Sequence, residues 1–158
     1  MAISVGSKAP DFKLKSADMC DVGLANKDSK NTVLLFFPFA FSEVCTNEFC
    51  QVTQDLDLYL GLQTQVLGIS SDSPFALKAW SVKEGIQIEL VSDFDGEVAE
   101  SYGVLYDRFL GYRRVAKRAA FVIDSQGIVK MSLVSEDAKE IPDFTEIKSC
   151  LEDINSSD

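Results

Sequence analysis

The run Asn31-Thr-Val-Leu-Leu-Phe-Phe37 constrains this chain more than any other stretch. It has no polar face, so it is read as a β-strand buried on both sides, as in sheets covered by helices. Apolar runs and amphipathic stretches alternate around it. From about Ser42 to Leu60 the spacing predicts one helix, with Cys45, Phe49, Val52, Leu56, Tyr59 and Leu60 on one stripe and Gly61 as its stop. Gln65–Ile69 is read as the next buried strand. Ser73-Pro74 supplies an N-cap and a first-turn proline for a helix to about Glu84. Ile88–Val91 is expected as a short strand and Gly96–Tyr102 as a short helix. Ala119–Ile123 and Ile128–Val134 flank Asp124-Ser-Gln-Gly127 and predict a hairpin. A last helix opens at Pro142 and carries Phe144, Ile147, Leu151 and Ile154 on one side.

Strand, helix, strand, helix, strand, hairpin, helix is the order of an α/β protein. Its central sheet is mixed, parallel in the βαβ part and antiparallel at the hairpin, with helices flanking it. A thioredoxin-like architecture fits this order. With 158 residues, 46% of them apolar, and no linker, repeat or low-complexity segment, residues 1–158 are expected to form a single domain.

Composition excludes several functions. Lys plus Arg number 15 against 25 for Asp plus Glu, a net charge of −10, which phosphate backbones repel; no nucleic-acid partner is expected. The apolar stretch Val33–Phe41 contains Pro38 and is too short for a bilayer, so no membrane association is expected. The start, Met-Ala-Ile-Ser-Val-Gly-Ser-Lys, has neither the charge nor the apolar run of a signal peptide, which points to a cytoplasmic protein. The chain has no histidine at all. Ser-His-Asp triads, Cys-His pairs and Cys₂His₂ zinc sites are thereby excluded. A nucleophile here must draw its activation from Arg, Lys, backbone N–H groups or a helix dipole. Four cysteines remain: Cys20, Cys45, Cys50 and Cys150. In the cytosol they are expected to be reduced or redox-active.

Cys45 falls where the buried strand gives way to the Ser42–Leu60 helix, the edge at which open α/β sheets place their sites. In a first helical turn the free N–H groups and the dipole favour an anion, and so a thiolate. The thiolate is the form that reacts with peroxide, giving a sulfenic acid first. An isolated cysteine on an apolar stripe is more often inert packing. Its neighbours reverse that reading.

Pro38, Ser42 and Cys45 reproduce the pattern Pro-x-x-x-Thr/Ser-x-x-Cys, and Glu48 follows within the same helix. With Ala9-Pro10-Asp11-Phe12, Val66-Leu-Gly-Ile-Ser-Ser-Asp-Ser-Pro74 and Arg118-Ala-Ala-Phe-Val-Ile-Asp124 in the same order, the chain resembles the peroxiredoxin family from about Ala9 to Val134. Within it the pattern is similar to the bacterioferritin-comigratory (peroxiredoxin Q) and alkyl hydroperoxide reductase E branches. The resemblance implies a thiol-dependent peroxidase that reduces hydrogen peroxide and organic hydroperoxides, with no cofactor and no metal. It makes Cys45 the peroxidatic sulfur. Ser42 would be a hydrogen-bond donor to the sulfur and the peroxide, Pro38 a shield against water, and Arg118 the cation that stabilises both. Two positions depart from the family pattern: Ser42 stands where Thr is commoner, and Ala120 where Thr follows the arginine. The region is basic, with Arg108 nearby, and Arg113, Arg114 and Lys117 are read as a solvated or partner-docking face.

The resemblance also offers Cys50, five residues on, as the thiol that resolves the sulfenic acid. Five residues of intact helix would separate the two Cα atoms by about 8.7 Å, beyond the ~7 Å that a disulfide spans. The first turns would have to unwind. Cys20, Cys150 or an external thiol are the other resolvers, and a thioredoxin-, glutaredoxin- or mycothiol/glutathione-type donor is the expected reductant. A homodimer is expected because Phe109, Leu110 and Tyr112 crowd a short segment with Gly111 and basic neighbours. Two readings compete. A thioredoxin-like disulfide reductase would want Cys-x-x-Cys, which is absent; a redox-sensing or holdase module could use the same fold.

Overall fold

The computed structural model describes residues 1–24, 28 and 30–156. Its elements are β1 (Leu14–Ser16), β2 (Asp21–Val22), β3 (Asn31–Phe36), α1 (Glu43–Gln54), α2 (Leu56–Gly61), β4 (Thr64–Ser70), α3 (Pro74–Glu84), β5 (Glu89–Ser92), α4 (Glu97–Ser101), β6 (Ala119–Ile123), β7 (Val129–Val134) and α5 (Phe144–Ser156). The strands form one sheet in the order β2-β1-β5-β4-β3-β6-β7. β3 pairs in parallel with β4 and antiparallel with β6, so the sheet is mixed as the sequence predicts.

β3 explains its own composition. Every residue of it is buried, because alternate side chains enter two different cores. Leu34 and Phe36 join Leu67, Ile69, Tyr102 and Phe121 on one face. Val33, Leu35 and Phe37 join Cys45, Phe49, Trp80, Ile147 and Leu151 on the other. Helices α1, α3 and α5 cover this second face. Gly68 in β4 lets α1 come close: a Cβ there would overlap the Phe49 ring. The Phe49 ring then lies 4.8 Å from Phe37 and 5.6 Å from Trp80, centroid to centroid.

The structure corrects the sequence in three places. The helix expected over Ser42–Leu60 is two helices, because the backbone leaves helical geometry at Asp55 (φ −102°, ψ 10°). The break rotates the stripe, so Tyr59 is buried while Leu60 is 59% exposed, and Gly61 ends α2 from within. The last helix starts at Phe144 rather than Pro142, where the Asp143 carboxylate accepts from the Thr145 N–H. Two short strands extend the sheet, β1 antiparallel to β5 and β2 antiparallel to β1, in a stretch expected only as a loop or strand edge. The Ser73 cap and the Asp124–Gly127 turn form as read, with Gly127 at φ +85°. Among the described residues no helix is long and apolar enough to cross a membrane.

Candidate active site

Two strands deliver the site to one edge of the sheet. β3 ends at Phe36, and the chain passes through buried Pro38 into the loop that starts α1. Antiparallel pairing sets Ala119 opposite Phe36, so Arg118 lies beside the carboxyl end of β3. Cys45 comes from the first turn of α1, whose N-cap Ser42 is extended (φ −74°, ψ 151°). No side chain caps that end, so its first N–H groups stay available to an anion.

Arg118 and Cys45 meet. The Arg118 Nη2 donates to Cys45 Sγ at 3.1 Å, its Nη1 to Glu48 Oε2 at 2.9 Å, and its Nε to the Ala138 carbonyl at 2.8 Å. Cys45 and Glu48 are fully buried and Arg118 is 2% exposed. Burial disfavours the guanidinium charge, but the Cys45 and Glu48 groups outweigh it and hold Arg118 charged above its ordinary range. Burial pushes the Glu48 carboxyl up to about 7, against the pull of Arg118. The chemistry available is that of a fixed cation set against a sulfur at a helix start, an arrangement suited to a thiolate nucleophile.

The remaining predicted residues are placed as follows. Pro38 is buried. Ser42 is exposed, and its hydroxyl donates to the Phe39 carbonyl at 3.1 Å rather than to Cys45. Cys50 lies on α1 with Cys45, half-buried, its Sγ 3.9 Å from the Glu84 carbonyl at the end of α3. Cys20 is exposed beside β2, and Cys150 is half-buried on α5, where burial pushes its thiol up. All four cysteines are free. Arg108 and Arg113 are exposed, Arg114 bonds Glu100 and the Asp95 carbonyl, and Lys117 lies 5.9 Å over the Tyr106 ring.

Sequence reasoning missed two supports. The Asp72 carboxylate accepts from the Ala40 N–H at 2.8 Å and the Ser70 hydroxyl at 2.6 Å, and the Ser92 hydroxyl holds the Asp72 carbonyl. It thereby ties down a loop in which Phe41 has φ +69°, a conformation that aromatic residues rarely adopt. Glu48 stood in the motif as an acid, but nothing in the sequence marked it as a buried partner of Arg118. The Val66–Pro74 stretch was the available signal for Asp72. Seeing its role requires knowing that β4 lies beside β3.

Residues 5–132 match the model of the AhpC/TSA family. An alkyl hydroperoxide reductase E of Mycobacterium tuberculosis is 33% identical over 133 residues, covering 82% of this chain and 84% of the relative. A chloroplastic 2-cysteine peroxiredoxin of Chattonella marina var. antiqua is 36% identical over 146 residues, covering 85% and 72%. The crystal structure of the peroxidoxin BcpB from Mycobacterium tuberculosis superposes with a TM-score of 0.85 at 25% identity, covering 96% of this chain and 98% of that one.

Proposed function

The chain belongs to the AhpC/TSA family, that of the peroxiredoxins, and from that premise we propose how its residues reduce a peroxide. It has the family's thioredoxin-like fold and is a thiol-dependent peroxidase, consuming a peroxide and a thiol reductant. Cys45 attacks as the thiolate. The sulfur electron pair forms a bond to one peroxide oxygen, the O–O bond breaks, and a sulfenic acid remains on Cys45. Arg118 stabilises the thiolate before attack and the negative charge growing on the departing oxygen during it. Pro38, buried and without an N–H, keeps water from the sulfur. Ser42, one turn before Cys45, transfers its hydroxyl bond from the Phe39 carbonyl to the reacting atoms. The observation that carries this reading is the 3.1 Å contact between Arg118 Nη2 and Cys45 Sγ, wholly out of solvent.

Cys50 then condenses with the sulfenic acid after α1 opens, and a thioredoxin-, glutaredoxin- or mycothiol/glutathione-type donor restores both thiols. Cys20, Cys150 and an external thiol are the other resolvers to test. The free cysteines suit a cytoplasmic protein, where reducing conditions prevail. A homodimer forms through the aromatic hairpin. Leu110 (φ +53°) and Gly111 (φ +85°) make its tight tip, leaving Leu110 76% and Tyr112 65% exposed, while Phe39 of the active-site loop packs on Phe109 and Tyr112. Light scattering at micromolar concentration should give twice the chain mass; a monomer mass rejects the dimer.

Peroxide consumption with excess thiol tests the whole reading. Wild type should turn over many times, whereas Cys45→Ser should retain less than a few per cent of the rate, since a hydroxyl is not ionised at neutral pH. A single stoichiometric oxidation of wild type would indicate a sensor instead, and activity in Cys45→Ser would dismiss Cys45.

A further inference from the structure

Arg118 is one buried cation between two groups that can each carry a negative charge. Cys45 Sγ lies at 3.1 Å and Glu48 Oε2 at 2.9 Å, and both residues are fully buried. If thiolate and carboxylate were ionised together, the cluster would hold a net charge of −1 away from water, an arrangement that low-dielectric sites disfavour strongly. Nor can the guanidinium swing to serve one of them, because its Nε is fixed on the Ala138 carbonyl. The other oxygen of Glu48, Oε1, is buried with no hydrogen-bond partner among the described residues. An unpartnered carboxylate oxygen is far more costly there than the same oxygen in a neutral acid.

We propose that Glu48 holds the proton that peroxide reduction consumes. It is a carboxylic acid while Cys45 is a thiolate, and it becomes the counter-ion of Arg118 once the sulfur is oxidised. The inference rests on Cys45 being the attacking sulfur. The thiolate pair attacks the terminal O–H oxygen of ROOH, which stays on sulfur with its hydrogen. The other oxygen leaves with the O–O pair as RO⁻ and must gain one proton. Sulfur loses two electrons and the peroxide gains two. Because the sulfur charge vanishes in the same step, Arg118 then faces Glu48 alone, and the Glu48 proton balances the RO⁻. Reduction by two thiols, R′SH, gives R′SSR′, water and the Cys45 thiolate, and returns one proton to Glu48. The cluster is neutral in both redox states only if this one proton moves. Glu48 bonds Arg118 and touches neither the sulfur nor the peroxide, so its part in the step is to store this proton rather than to contact the reacting atoms.

Burial raises the Glu48 carboxyl to about 7 with Arg118 opposing, so both of its protonation states are reachable near neutrality. Tyr106 is within electrostatic reach of Arg118, and of Glu136 and Asp137, and Lys117 sits on the Tyr106 ring.

The test is a single turnover of the reduced protein with one equivalent of hydrogen peroxide in weak buffer. Proton uptake, thiolate absorbance and the infrared difference spectrum are followed together. At pH 6 the wild type should take up almost no protons and lose a carboxylic-acid carbonyl band as its thiolate absorbance disappears. Uptake should rise towards one proton per peroxide as the pH passes about 7. Glu48→Gln should lack the band and take up about one proton per peroxide throughout, because RO⁻ must then be neutralised from the medium. A wild type whose thiolate disappears with no change in a carboxylic-acid band overturns the proposal, and it does so even if Glu48→Gln does not fold. So does equal uptake by wild type and Glu48→Gln from pH 6 to 8. If peroxide is consumed by neither protein and the thiolate absorbance persists, the peroxidase reading falls and takes this inference with it.

Discussion

Cys45 and Cys50 share one helix, five residues apart, in opposite surroundings. Cys45 is sealed in the core with Arg118 against its sulfur. Cys50 is half-buried, and its contact is the carbonyl that ends α3. One position sets a sulfur against a buried cation with water excluded; the other sets a half-buried sulfur near the surface. Both lie within the unbroken span Glu43–Gln54, which holds the two sulfurs apart. If Cys45 attacks and Cys50 resolves, the two steps therefore belong to different conformations of α1.

The largest expected effect comes from removing what distinguishes Cys45. Arg118→Ala should slow reduction by on the order of 10²-fold or more, the usual cost of deleting a donor aimed at developing charge. Alkylation of Cys45 by iodoacetamide at neutral pH should slow as well. Arg118→Lys should recover only part of the rate, because an ammonium cannot bridge Cys45, Glu48 and the Ala138 carbonyl at once. Stopped-flow peroxide kinetics decide this. An Arg118→Ala protein as fast as wild type would make Cys45 no different from Cys50 in electrostatic terms.

A smaller effect is expected at Ser42. Its hydroxyl holds the Phe39 carbonyl at 3.1 Å, and one such bond is worth about 1 kcal/mol, or roughly fivefold in rate when its loss falls on the transition state. Ser42→Val should therefore lose about fivefold, and Ser42→Thr should restore it by keeping the hydroxyl. If valine and threonine behave alike in the same kinetics, the position serves only packing.

What the sequence could reveal follows the range of the forces involved. β3 was legible because two-sided burial leaves no polar residue in it, and α3 because Ser73-Pro74 is a local capping signal. Arg118 could be placed facing inward because it directly precedes a buried strand. The break at Asp55 was not legible: no Gly or Pro marks it, and Leu56, Tyr59 and Leu60 continue a plausible stripe. β1 and β2 have only three and two residues, with Lys15 and Asp21 paired across them, too few for any periodicity. Glu48 and Asp72 were obscure for another reason. Carboxylates ordinarily face water, and each is held by a residue far away in sequence.

The break at Asp55 bears on the last and smallest effect, the change in helix content that resolution requires. An intact helix holds the Cα atoms of residues five apart at about 8.7 Å, beyond the ~7 Å limit for a disulfide. If Cys50 resolves Cys45, the start of α1 must unwind. Because α1 already ends at Asp55, that unwinding can stop there and leave α2 in place. Oxidation should then lower the helical circular dichroism by no more than the twelve residues of α1 contribute. Amide exchange should accelerate across α1 and remain slow in α3 and α5, with recovery on reduction. In Cys50→Ser the same peroxide treatment should leave α1 protected and Cys45 as a sulfenic acid that over-oxidises more readily. Peptide mapping of the oxidised wild type supplies the decisive link. A Cys45–Cys50 bond with α1 still protected would contradict the helix geometry, and a Cys45 bond to Cys20 or Cys150 would move resolution off this helix altogether.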